Sequence, residues 1–191
     1  MTTLEALETK VRATRRVSSI PLIVSGVGTI VAASASLLGD LDFALGFVIA
    51  PGTAFVLWAV MKATATRAGL GMGRERYGLI ALIIAAASLL PVISWLLGPA
   101  FLIGILLLTV GWRAEDRRQW GSGLLVAAAS PLLGYSFIQN QVYVLERAVT
   151  GWYWFTDMTV DHVVLAVIGL ALAALGIREA RRENALLRQR S

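Results

Sequence analysis

Six long apolar runs divide this chain, spanning 18–38, 43–61, 77–95, 98–112, 120–138 and 158–177. The first five contain no Asp, Glu, Lys or Arg, and the sixth carries only Asp161 and His162, near its start. A surface helix of a soluble protein keeps a polar face. Roughly 20 apolar residues in helical form cross a hydrocarbon layer ~30 Å thick. Lipid offers the backbone no hydrogen-bond partner, so a spanning segment is a helix or part of a closed barrel. These runs are continuous, whereas barrel strands alternate with a period of two. The fold class is therefore all-α: a polytopic membrane protein whose six transmembrane helices form three hairpins.

Of 191 residues, 57% are hydrophobic and 15% charged, with a mean hydropathy of +0.72. Soluble domains carry about 25% charged residues. The membrane domain, 18–177, takes up most of the length, between an arm at 1–17 and a basic tail at 178–191. There are no cysteines, which excludes disulfides, thiol catalysis and cysteine–metal sites. The single histidine, His162, excludes two-histidine metal and haem sites. No cofactor is expected.

The basic residues orient the chain. Four lie in the N-terminal arm, four at 62–76, three at 113–118 and five in the tail, so that of the 17 only Arg147 falls on the other side. Positive residues stay in the cytoplasm. Both termini are thus predicted inside, in a multi-pass protein of the bacterial cytoplasmic (inner) membrane. The arginines read as topological anchors and contacts for anionic lipids, and nucleic-acid binding is disfavoured.

Leu4, Leu7 and Val11 fall at helical spacing, which predicts an amphipathic arm at headgroup level; a partly ordered tail is the competing reading. Basic residues, an apolar run and Ala33-Ser34-Ala35 also resemble a cleavable signal, although the run exceeds the 7–15 residues typical of one. Pro51-Gly52 predicts a kink in the second helix, as a packing bend or beside a pathway. Gly69-Leu70-Gly71-Met72-Gly73 lacks the strand–helix context of a nucleotide loop and reads as a linker. Pro91 bends or ends the third helix, and Pro131 lies inside the fifth. Between 139 and 161, Val142, Leu145 and Val149 suggest a short extra helix. It is followed by Trp152-Tyr153-Trp154-Phe155, amphipathic rings suited to an interfacial belt.

An internal repeat is suggested. Ile103, Gly104, Leu107, Gly111, Arg113 and Arg117 recur 65 positions on as Ile168, Gly169, Leu172, Gly176, Arg178 and Arg182. Ala85-Ala86-Ala87-Ser88 recurs as Ala127-Ala128-Ala129-Ser130. Both copies run in the same direction, which implies a parallel repeat about an axis along the membrane normal; chance similarity among Ala, Leu and Gly is the alternative. The glycines permit close helix contact, within one subunit or in a homo-oligomer.

An ionisable side chain at mid-membrane is costly and usually functional, and the centres of these runs hold only hydroxyls such as Ser25, Thr29, Thr53, Ser88, Thr109 and Ser130. The one polar constellation is extracytoplasmic: Glu146, Arg147, Asp157, Asp161 and His162. It reads as a ligand or pH-sensing site, because imidazole titrates near pH 6.5. The competing reading is structural, with Asp157 capping the last helix, Asp161 favouring its dipole and Glu146-Arg147 as a surface pair. No catalytic or metal-binding set is singled out.

Gly78 to Arg118 resembles the two-helix repeat of HdeD-like bacterial membrane proteins. Gly78 opens an apolar helix, Pro91 interrupts it, and Leu102-Ile103-Gly104-Ile105-Leu106-Leu107-Leu108 forms the next, followed by arginines. Ser130-Pro131-Leu132-Leu133-Gly134 is similar to small bacterial membrane proteins with a Ser-Pro-Trp repeat, without the Trp. The resemblances imply stress-response or unassigned roles and transfer no catalytic residue. The expected function is a non-enzymatic accessory, stress-response or sensing component acting through its outer aromatic loop and basic cytoplasmic face, without a cofactor and with a membrane-protein partner or a second copy of itself as candidate partners. A small oligomeric transporter or channel module is the alternative, and an extracytoplasmic-face membrane enzyme the third reading.

Overall fold

The computed structural model describes residues 17–35, 42–69, 76–90, 93, 96–98, 100–134, 137–150 and 160–188. Among them the ordered elements are all helical: α1 (Ser19–Ala35), α2 (Asp42–Arg67), α3 (Tyr77–Ser88), α4 (Phe101–Arg113), α5 (Arg117–Gly134), α6 (Phe137–Thr150) and α7 (Val160–Arg188). Two segments are long and apolar enough to cross a membrane, Phe47–Arg67 within α2 and Val160–Arg188. The helices α1, α3 and α4 are apolar but shorter.

The boundaries depart from the apolar runs where local chemistry outweighs hydropathy. The second helix continues past Met61 to Arg67. Lys62 lies over the Trp58 ring at 5.3 Å, so its charge is accommodated without ending the helix. The seventh continues through the basic tail to Arg188, because Ala, Leu, Arg and Glu are strong helix formers. The third ends early, at Ser88, with Leu89 and Leu90 donating to the carbonyls three residues back. Proline disfavours helical geometry in the residue before it, and Pro91 follows at once. Pro51 and Pro131 are instead carried inside α2 and α5. The amphipathic segment after α5 is a separate helix, α6.

The tightest turn joins α4 to α5. The Asp116 amide donates to the Gly111 carbonyl at 2.9 Å, and Glu115 takes a left-handed φ of 56°. The Asp116 carboxylate then caps α5, accepting from the amides of Arg118 (2.9 Å) and Gln119 (3.3 Å). These bonds serve carbonyls and amides that helix ends otherwise leave unpaired.

The most extensive packing is between α1 and α7, followed by α4 with α5, then α2 with α3. Small residues let the first two pairs approach closely. A β-carbon on Gly26 would stand 2.6 Å from the Ala173 nitrogen and 2.7 Å from the Gly169 oxygen. One on Gly123 would stand 2.3 Å from the Leu108 nitrogen and 2.8 Å from the Gly104 oxygen. In the α2–α3 region Ala50, Ala54 and Ala81 are buried in one cluster.

Two apolar cores result. One joins α1 to α4 through residues including Leu57, Met61, Ile84, Ile103 and Val110. The other links Leu22, Leu107, Val126, Leu133, Leu165 and Leu172. The outward faces are apolar as well: Val48 and Val56 on α2, Leu82 and Ile83 on α3, Leu124 and Leu125 on α5, and Val163, Val167 and Leu170 on α7 are all exposed.

Candidate functional site: joined helix ends and the start of α7

Arginine-flanked ends of four helices contribute to one core. Val17 before α1, Met61 in the last part of α2, Tyr77 at the start of α3 and Ala114 after α4 are buried in the same core. The starts of α1 and α5 and the C-terminal part of α7 are joined by polar side chains. Glu183 accepts from the Ser18 amide at 3.2 Å and from the Ser19 hydroxyl, so a carboxylate of α7 serves the N-terminus of α1. Negative charge is favoured at that end of a helix. Gln119, fully buried, donates from Nε2 to the carbonyls of Val17 (2.7 Å) and Ser18 (2.9 Å). Arg118 pairs with Glu179 at 2.5 Å, and Arg182 reaches the same oxygen at 3.2 Å.

Sequence reasoning did not single out Ser18, Ser19, Gln119, Glu179 or Glu183. A signal for Glu183 was present. The buried face of α7 reads Leu165, Gly169, Leu172, Gly176 and then Glu183, at helical spacing. A carboxylate on the apolar seam of a helix points to a polar partner across the interface. No comparable sign marks Gln119, whose partners are backbone carbonyls 101 and 102 positions away.

The described residues of the polar constellation that the sequence singled out lie on α6 and at the start of α7. Asp161 is buried, 3% exposed, in the first turn of α7. His162 beside it is half-buried, and its enclosed Nδ1 has no hydrogen-bond partner among the described residues. Arg147 is exposed in the last turn of α6, where a cation suits the helix dipole. Both α5 and α7 contact α6, which places Arg147 and the Asp161–His162 pair on neighbouring helices. Asp157 and the aromatic residues Trp152, Tyr153, Trp154 and Phe155 lie outside the described residues, as does the side chain of Glu146. Among the described residues no group of three or more His, Cys, Asp or Glu side chains could hold a metal ion.

Several of the hydroxyls inside the helices turn back on their own helices, whereas the buried Oγ atoms of Ser25 and Ser130 have no hydrogen-bond partner among the described residues. Thr29 donates to the Ser25 carbonyl at 2.8 Å, Thr53 to Ile49 at 2.7 Å, Ser88 to Ala85 at 2.8 Å, and Thr109 to Ile105 and Leu106 at 2.9 Å. Such bonds satisfy a hydroxyl locally. At Pro51-Gly52 the helix continues, Pro51 is half-buried, and a β-carbon on the exposed Gly52 would meet nothing within 4 Å. This glycine therefore lies on an outer surface of α2.

Comparison with family models, with curated proteins and with solved structures finds no match.

Proposed function

We propose that this chain is a non-enzymatic, six-crossing protein of a bacterial inner membrane, with both termini in the cytoplasm. It serves as an accessory, stress-response or sensing component that presents a basic face to the cytoplasmic leaflet and an aromatic loop to the outside. The observation that carries the reading is a set of joined helix ends. The starts of α1 and α5 and the C-terminal part of α7, all of which adjoin Arg or Lys in sequence, are bonded directly to one another. An antiparallel bundle needs that arrangement if every basic segment is to remain in one compartment. The apolar outer faces of α2, α3, α5 and α7 supply a surface suited to lipid.

The repeat reading has support of its own. Gly169 and Ala173 meet Gly26 on α1, while their counterparts 65 positions earlier, Gly104 and Leu108, meet Gly123 on α5. The second helix of one hairpin thus packs against the first helix of another in both pairs, and α2 with α3 follows the same order. Three hairpins closed in a ring account for the pairing of the first and last helices.

Cysteine labelling tests the topology, and the chain has no cysteine to interfere. In intact cells, Glu115→Cys and Arg188→Cys are expected to resist a membrane-impermeant maleimide, while Arg147→Cys reacts. Labelling of Glu115→Cys or Arg188→Cys from outside refutes the topology. Partner capture then addresses role: a reproducible membrane-protein partner that is lost when 151–156 is replaced by Gly-Ser supports the accessory reading, and solute flux by the purified protein in liposomes opposes it.

A further inference from the structure

The outer stripe of α7 joins an apolar track to a group of guanidinium side chains. Val163, Val167, Leu170, Ala174 and Ile177 fall at spacings of four and three, and all are exposed. Fourteen positions at 1.5 Å each make the track about 21 Å long, more than the ~15 Å depth of one hydrocarbon leaflet. It ends at Arg178, Arg181 and Arg182, which line a groove with Ala174, Ile177 and Ala185.

In sequence this segment looks self-neutralising, because Glu179 and Glu183 alternate with the arginines. The fold engages both carboxylates elsewhere. Glu179 binds Arg118 of α5 and reaches Arg182, and Glu183 turns inward to Ser18 and Ser19. Among the described residues Arg178 and Arg181 have no carboxylate partner. They stand one turn apart on the same face, directly beyond the end of the apolar track.

We propose that this face of α7 binds one anionic phospholipid of the cytoplasmic leaflet, its phosphate between Arg178 and Arg181 and an acyl chain along Ala174, Leu170 and Val167. Guanidinium groups match phosphate oxygens in geometry and charge. The apolar track selects a lipid over a soluble phosphate. The inference rests on the six-crossing reading, because the arginines must lie at the level of the inner headgroups.

The test is a titration of the purified full chain in zwitterionic micelles, with bound lipid counted by native mass spectrometry. Phosphatidylglycerol is expected to bind more tightly than phosphatidylcholine with the same chains. Each basic group near an anionic surface contributes roughly a factor of five. Arg178→Gln with Arg181→Gln is therefore expected to weaken that binding roughly 25-fold. Equal binding by the double variant overturns the proposal, as does equal binding of phosphatidylcholine. Displacement by glycerol phosphate at matched concentration overturns it too, because the acyl track then contributes nothing. A second measurement needs no variant: photoactivatable phosphatidylglycerol should crosslink to wild-type α7 between Val163 and Ala185, and crosslinks confined to other helices refute the site. If cysteine labelling instead places Arg188 outside, the six-crossing reading itself has failed.

Discussion

Gly26→Ala and Gly52→Ala are the same chemical change in two helices, and opposite outcomes are expected. At Gly26 the new methyl would meet backbone: the Ala173 nitrogen at 2.6 Å and the Gly169 oxygen at 2.7 Å. Ordinary contact begins at 3.4 Å, so the first distance must grow by the difference, 0.8 Å. Backbone within a helix cannot rotate aside, so α1 and α7 must separate. A gap of 0.5–1 Å forfeits a quarter to a half of each dispersion contact along the seam. Overpacking of this kind costs about 1–3 kcal/mol, and the helix-propensity gain of Ala over Gly, about 0.8–1.0 kcal/mol, offsets only part of it. At Gly52 nothing lies within 4 Å, and only the propensity gain remains. Gly26→Ala should therefore lower stability and Gly52→Ala should raise it slightly. Unfolding of the purified protein in mixed micelles with increasing SDS fraction, followed by circular dichroism, measures both. Equal shifts, or a more stable Gly26→Ala, would refute the close α1–α7 contact.

Other expectations follow from the polar network and the start of α7. Glu183→Ala removes the acceptor for the Ser18 amide and Ser19 hydroxyl; a loss of about 1–3 kcal/mol is expected in the same unfolding assay. Gln119→Leu leaves the Val17 and Ser18 carbonyls without this donor and should cost about 1–3 kcal/mol. Arg118→Ala should change stability by less than about 1 kcal/mol, because Arg118 is 62% exposed in its pair with Glu179. If His162 is the pH-sensing group, His162→Gln abolishes any pH-dependent change in tryptophan fluorescence between pH 5 and 8; an unchanged profile removes that role.

Much of the fold is legible before any tertiary contact is known. Uninterrupted apolar runs require helices, since each backbone amide and carbonyl is then paired within its own segment. Gly104, Gly111, Gly169 and Gly176 mark the seams, because only a missing side chain permits such close approach. Hydroxyls such as Thr29 and Thr53 can be satisfied by the preceding turn of their own helix, so their local bonding needs no partner helix. Helix ends are less legible. Hydropathy alone placed the second helix end at 61, whereas the structure carries it to Arg67, with Lys62 held over Trp58.

Tertiary structure decided what the polar residues do. Glu179 and Glu183 are near neighbours in one tail, yet one reaches α5 and the other serves the start of α1. That division leaves Arg178 and Arg181 facing outward, a result that no count of charges along the tail contains. Gln119 sits at the start of an amphiphilic stretch and is buried only because α1 begins beside it. Local sequence governs backbone pairing and apolar periodicity, which are short-range. The fate of a charge depends on which distant helix end arrives next to it, and that is set by packing.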